Sequence, residues 1–328
     1  MPRNQPLTPP DSSSRPRLAA IDQFRGLAIM AMVAADYLAG VQTAPAWLKH
    51  APDTGLTIVD LVAPLFIFAI GLTYPLSARR RSQREGWRRS AEHFVRRYLV
   101  LVGIGALMSA VSSWYGAASS WGVLQAIGLA GLLTLPFIGL KPGWRLGIGL
   151  ALLGLYQVLL DQFWLRPVLV SPHGGLPGSL AWGSMMILST ALADLHHDQG
   201  QRRWAFLLAS VLALVAGAAL SVVVDISKHR VSASYVLVSL GVSALLYGGF
   251  TLLQRVRLRI PLLDAWGANP LVLYILHYLL IGIYFLPGIP AWYTHASGWL
   301  MVAQILLLLA VLSLIAVWFK RKNWIFSI

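Results

Sequence analysis

His50 and Asp60 stand ten positions apart in WLKHAPDTGLTIVDLVAPLFIF (47–68), where a short polar loop runs into an apolar helix. Histidine exchanges protons near neutral pH, and a neighbouring carboxylate fixes its tautomer and stabilises its charged form. A carboxylate in an apolar span costs about 2.5–3.5 kcal/mol even on a lenient scale, so Asp60 needs a partner, and His50 is the nearest plausible one. Asp36, Gln125, Asn269 and His277 are further polar residues inside apolar stretches, and Asp22, Arg25 and Asp264 stand near the ends of such stretches. A metal site fits poorly. Cysteine is absent, no His-x-x-x-His pair shares a helix face, and the candidate ligands are scattered. Serine nucleophile elbows, phosphate-binding glycine loops and dinucleotide fingerprints are also missing.

The elements that hold these residues read as membrane helices. The chain has 328 residues, of which 57% are apolar and 12% charged. Soluble proteins carry roughly 25% charged residues. Several apolar runs approach the roughly 20 residues that span a bilayer. The fold class is an all-α polytopic membrane protein of about 10 transmembrane helices. The expected spans are about 24–41, 56–77, 98–115, 120–139, 145–161, 180–195, 204–224, 234–252, 264–286 and 298–318. Residues 1–20 lack the apolar core of a signal peptide, are rich in Pro and Ser, and read as a disordered cytoplasmic tail.

Net charge is +14, and its placement points to a membrane and not to nucleic acid. With the N-terminus inside, 22 of the 26 Lys and Arg fall in alternate, cytoplasmic segments, and Lys49, Arg166, Lys228 and Arg230 fall outside them. Both termini are therefore expected in the cytoplasm. Most tryptophans, such as Trp47, Trp121 and Trp299, sit at span ends, where an amphipathic ring suits the headgroup zone. Sugar stacking by Trp47, Trp114, Tyr115, Trp121 or Trp292 is the functional alternative. This topology puts Asp36, His50, Asp60 and Gln125 in the outer half. Asp22, Arg25, Asp264 and Asn269 go to the inner half, and His277 lies between. Together they form a candidate polar lane. Plainer readings exist. Asp22 and Arg25 make a helix-start ion pair, Asp60 a first-turn carboxylate, and His277 a buried histidine bridging helices.

Five motifs then bear a resemblance. AIDQFRGLAIMAMV (20–33), HAPDTGLTIVDLVAPLFIF (50–68), GVLQAIG (122–128), ISKHRVSASYVL (226–237) and GANPLVLYILHYLL (267–280) are similar, in order, to those of heparan-α-glucosaminide N-acetyltransferase and its bacterial relatives. The resemblance implies a single transmembrane acyltransferase domain over 21–322, with a C-terminal tail at 323–328. It implies a co-substrate, acetyl-CoA, presented from the cytoplasm, no metal, and a periplasmic sugar or glycan acceptor at a bacterial inner membrane. It leaves room for a homodimer. It maps the catalytic histidine to His50 and the motif aspartate to Asp60. A late first-span polar residue maps to Asp36, the first motif's acid and base to Asp22 and Arg25, and the span-9 pair to Asn269 and His277. Asp53 and Ala126 depart from the family's usual aromatic and arginine.

Acyl transfer from a thioester needs a base, an oxyanion stabiliser and a place for the CoA phosphates. His50 is the expected base or acyl carrier, oriented by Asp36 or Asp60. Gln125 or backbone N–H groups are expected at the oxyanion, and arginines such as Arg25 at the phosphates. Arg25, Gln125, Asn269 and His277 are thus the expected cofactor-binding residues. The same lane would also serve a transporter or flippase for an anionic or glycan-linked substrate.

Overall fold

The computed structural model describes residues 15–114, 121–197, 203–284 and 288–326. Among these residues there are helices, turns and loops, and no strand. The helices are α1 (Arg15–Ala39), α2 (Val62–Glu85), α3 (Trp87–Trp114), α4 (Val123–Thr134), α5 (Pro142–Leu159), α6 (Leu165–Leu169), α7 (Gly175–His197), α8 (Arg203–Leu220), α9 (Ala233–Arg255), α10 (Pro261–Ala268), α11 (Pro270–Tyr284), α12 (Ala291–Thr294) and α13 (Gly298–Arg321).

Helix falls on each of the ten stretches read as spans. Length and composition qualify six segments to cross a membrane: 59–85, 87–110, 142–169, 172–196, 233–255 and 298–321. Apolar helices at 123–137 and 204–220 are shorter. Two expectations need correction. Residues 15–20 begin α1 and are not a tail, while residues 1–14 lie outside the described residues. The span expected at 264–286 is not one helix, because α10 and α11 meet at 85° across Asn269. Pro270 has no N–H to continue the ladder, and it pushes the residue before it out of the helical region. Asn269 accordingly sits at φ −133°, ψ 54°. Its side chain then fastens the C-terminal segment, with Nδ2 donating to Trp324 O at 2.8 Å and Oδ1 accepting from Phe326 N at 2.8 Å.

α2 and α7 are buried along most of their length, whereas α3, α5 and α13 turn most of theirs outward. The outward faces are apolar, as with Leu150, Leu155, Leu306 and Leu314. With lipid on that side, every backbone polar group must be satisfied within the chain, and helices do this. Between helices, small residues permit close approach. A Cβ on Gly267 would lie 1.8 Å from the carbonyl oxygen of Asp22, so glycine is required where α10 crosses α1.

Ion pairs tie the helix ends into two groups. Arg79 at the end of α2 and Arg145 near the start of α5 both hold Asp194 near the end of α7, Arg79 at 2.6 Å. Arg145, expected among loop charges, is fully buried. Elsewhere Arg230 in the loop before α9 grips Asp53 in the loop before α2, with Nε at 2.9 Å from Oδ1 and Nη2 on Oδ2.

Candidate active site

The loop from 49 to 58 folds around one carboxylate. Oδ2 of Asp60 accepts the backbone N–H of Thr57 at 2.9 Å and of Ala51 at 3.3 Å, and the Thr57 hydroxyl at 3.0 Å. The Thr57 amide is thus capped by a carboxylate three residues on, while Asp60 N donates back to the Thr57 carbonyl at 3.2 Å. Oδ1 is left for His50, whose Nδ1 lies 2.8 Å away. Tyr235 of α9 donates to the backbone carbonyl of Asp60 at 2.6 Å, which fixes the turn from behind. Asp60 is fully buried, while the His50 side chain is 38% exposed. The ring is therefore held by an inner carboxylate and presented to open space.

That space is a cavity of about 270 Å³. Its walls come from α1 (Met32, Asp36), the His50 loop, α3 (Met108, Ser109), the start of α4 (Gln125) and α11 (Tyr274, Tyr278). With Nδ1–H donated to Asp60, Nε2 of His50 keeps its lone pair, so it can take a proton or attack a carbonyl.

Of the outer-half residues, Asp36, His50 and Gln125 line this cavity, and Asp60 stands behind His50. Asp36 does not orient His50. It pairs instead with Nε2 of the buried His277 at 3.2 Å. Gln125 serves local structure too, as its Oε1 accepts Gly122 N at 2.7 Å and lies 3.4 Å from Ser109 Oγ.

The inner-half residues do not line the cavity, and protein groups hold them. Arg25 pairs with Asp22 at 2.7 Å and donates Nε to Gly267 O at 2.8 Å. Asp264 lies 3.7 Å from Lys320. Asn269, expected at the cofactor, is 1% exposed and bonds the chain's own Trp324 and Phe326. The sugar-stacking candidates separate as well. Trp121 lines the cavity, whereas Trp47 (58% exposed) does not. Tyr115 lies outside the described residues, as does the Trp114 side chain.

Among the cavity residues that the sequence does not single out are two with titratable side chains able to act near neutral pH or as a cation, His173 and Lys228. Both lie in loops, where no periodicity marks a direction. The signals that could have found them are the Pro-His-Gly-Gly turn at 172–175, where His173 takes a left-handed φ of 55°, and the placement of Lys228 outside the cytoplasmic charge pattern. Among the described residues no group of three or more His, Cys, Asp or Glu is placed to hold a metal ion.

Residues 17–177 match the family model described as heparan-alpha-glucosaminide N-acetyltransferase, catalytic. The chain is similar to the human heparan-alpha-glucosaminide N-acetyltransferase, with 41% identity over 80 residues, covering 24% of this chain and 12% of that protein. It is also similar to the mouse protein of that name, with 35% identity over 124 residues, covering 36% and 18% respectively. The matched stretches thus span less than a fifth of either relative. Residues 17–177, which carry Asp36, His50, Asp60 and Gln125, are thus similar to the catalytic region of the heparan-α-glucosaminide N-acetyltransferase family.

Proposed function

We propose that this protein is an acetyl-CoA-dependent membrane acyltransferase. It takes acetyl groups from the cytoplasmic side of a bacterial inner membrane and delivers them to an amino or hydroxyl group, of a glycan acceptor, on the periplasmic side. The observation that carries the reading is the 2.8 Å contact between His50 Nδ1 and the buried Asp60, with the ring opening on a cavity. Asp60 holds the tautomer in which Nε2 is the base. Nε2 removes the proton of the attacking amine or hydroxyl, or itself carries the acetyl group before passing it on. The similarity of residues 17–177 to that family's catalytic region supports acetyl transfer as the class of reaction.

The donor's phosphates suit guanidinium groups. Arg25 stands eleven residues before Asp36 on α1, about 16 Å of helical rise. A phosphate there would compete with Asp22 for its guanidinium.

The test is acetyl transfer by the purified full chain, read by mass spectrometry of the acceptor. His50→Ala is expected to lose turnover by at least about 10³-fold while keeping its melting temperature. Full turnover in that variant rules the reading out. Movement of an unmodified substrate across sealed vesicles, with no acetylated product, would favour a transporter.

A further inference from the structure

The cavity beside His50 has a group that the acid–base pair leaves unused. Lys228 is the one Lys or Arg among the described residues lining it. Its ammonium has no hydrogen-bond or ion-pair partner among the described residues.

The loop that presents Lys228 is bolted to the loop that presents His50. Arg230, two residues on, makes its two-pronged ion pair with Asp53. Ser227, one residue before, donates its hydroxyl to Asp53 Oδ1 at 3.3 Å. Ile226 accepts the backbone N–H of Gly55 at 2.7 Å. Within the loop, Ser227 Oγ accepts Arg230 N and Ser232 Oγ accepts Ser227 N, both at 3.0 Å. Lys228 is thus held in register with His50 by bonds on either side of it.

The electrostatics suit a transient anion. Burial holds the Lys228 ammonium below the usual lysine range, and the nearby Asp60 and Asp36 pull it back toward the charged form. Two carboxylates already face this space or stand behind it, so a permanently anionic guest is disfavoured there. A charge that appears only during reaction is what a poised cation stabilises best.

Resting on the acyl-transfer reading above, we infer that Lys228 is a further catalytic residue, donating hydrogen bonds to the acyl carbonyl oxygen while that oxygen is negative. The attacking nitrogen or oxygen forms a bond to the thioester carbonyl carbon, and the C=O electron pair moves onto the oxygen beside Lys228. The nucleophile's proton goes to His50 Nε2. When the C=O bond re-forms, the C–S bond breaks and the thiolate leaves with the proton from His50. Lys228 keeps its own proton throughout. Gln125, the other expected donor, is a neutral amide, and the charged ammonium is the stronger donor to a developing oxyanion.

The test uses the full chain in detergent with acetyl-CoA, and with glucosamine or hydroxylamine as probe acceptors. Lys228→Met is expected to lower kcat by about 10²-fold, with KM for both substrates within about two-fold of wild type. Ethylamine added to Lys228→Ala is expected to restore rate in proportion to its concentration, which also covers a poorly folded Met variant. Lys49→Ala, at a half-buried lysine that bonds Gln42 O and does not line the cavity, is expected to match wild type. Wild-type kcat in Lys228→Met, or a raised KM at unchanged kcat, overturns the inference and leaves the acyl-transfer reading standing. A wild-type chain that releases no CoA above the His50→Ala background overturns both.

Discussion

Asp60 grips the imidazole of His50 by Nδ1, and the outer nitrogen is the one left for chemistry. In Asp60→Asn the amide keeps the shape but can offer its N–H to the ring, which favours the tautomer with its proton on Nε2. The expected outcome is a fall in kcat of about 10³–10⁴-fold with KM little changed, read from steady-state kinetics. Equal kcat in the two proteins would mean that the carboxylate serves only the turn. Asp60 was legible in sequence because a carboxylate in an apolar run is costly, and His50 because it stood nearest. The pairing of Asp36 with His277 was not, since the two lie 241 residues apart and only helix packing brings them together. Lys228 was visible only as an exception to a charge pattern.

At the scale of elements, the loops before α2 and α9 act as one piece through Asp53 and Arg230. Hydrogen bonding to the Arg230 guanidinium holds the Asp53 carboxyl below the ordinary carboxylate range, against a smaller opposing effect of burial. The folded form therefore binds a proton less readily than the unfolded chain. The stabilisation is fully present above the unfolded pKa of about 3.9, and it is lost as pH falls through the lower folded value. Both side chains are partly exposed, at 38% and 27%, so the pair contributes only about 0.5 kcal/mol. Asp53→Asn is expected to lower the melting temperature slightly at pH 7. The gap should close below about pH 4, as scanning calorimetry across pH can check. A gap that persists in acid would assign the effect to packing. Helix positions were readable from apolar runs, but the elbow at Asn269 was not. Hydropathy averages across a proline, and the 264–286 stretch looks continuous on that measure.

Across the whole molecule, two groups of helix ends are tied by separate ion pairs, one through Asp194 and one through Asp53. Charge counting assigned the first to the cytoplasm and the second to the opposite side. The chain has no cysteine, so single introduced thiols report sidedness cleanly. Gln83→Cys and Lys322→Cys are expected to react with an impermeant maleimide only after the membrane is opened, and Thr54→Cys in intact cells. Labelling of Gln83→Cys in intact cells would reverse the orientation and the direction of transfer with it. Arg145 limits what such counting can tell. It counts as a loop charge by position, yet it is buried on Asp194, because charge order along the chain registers sign and sequence and not depth.

The Asn269 elbow leans on residues far downstream. Its amide donates to the main chain at Trp324 and accepts from it at Phe326, so the last described residues work as a splint across a joint some 55 positions earlier. The angle between α10 and α11 is therefore shared between a proline and a distant strap. α11 carries Tyr274, His277 and Tyr278 toward the cavity beside His50, so the tilt of that wall depends on the final stretch of chain as well as on the helices around it.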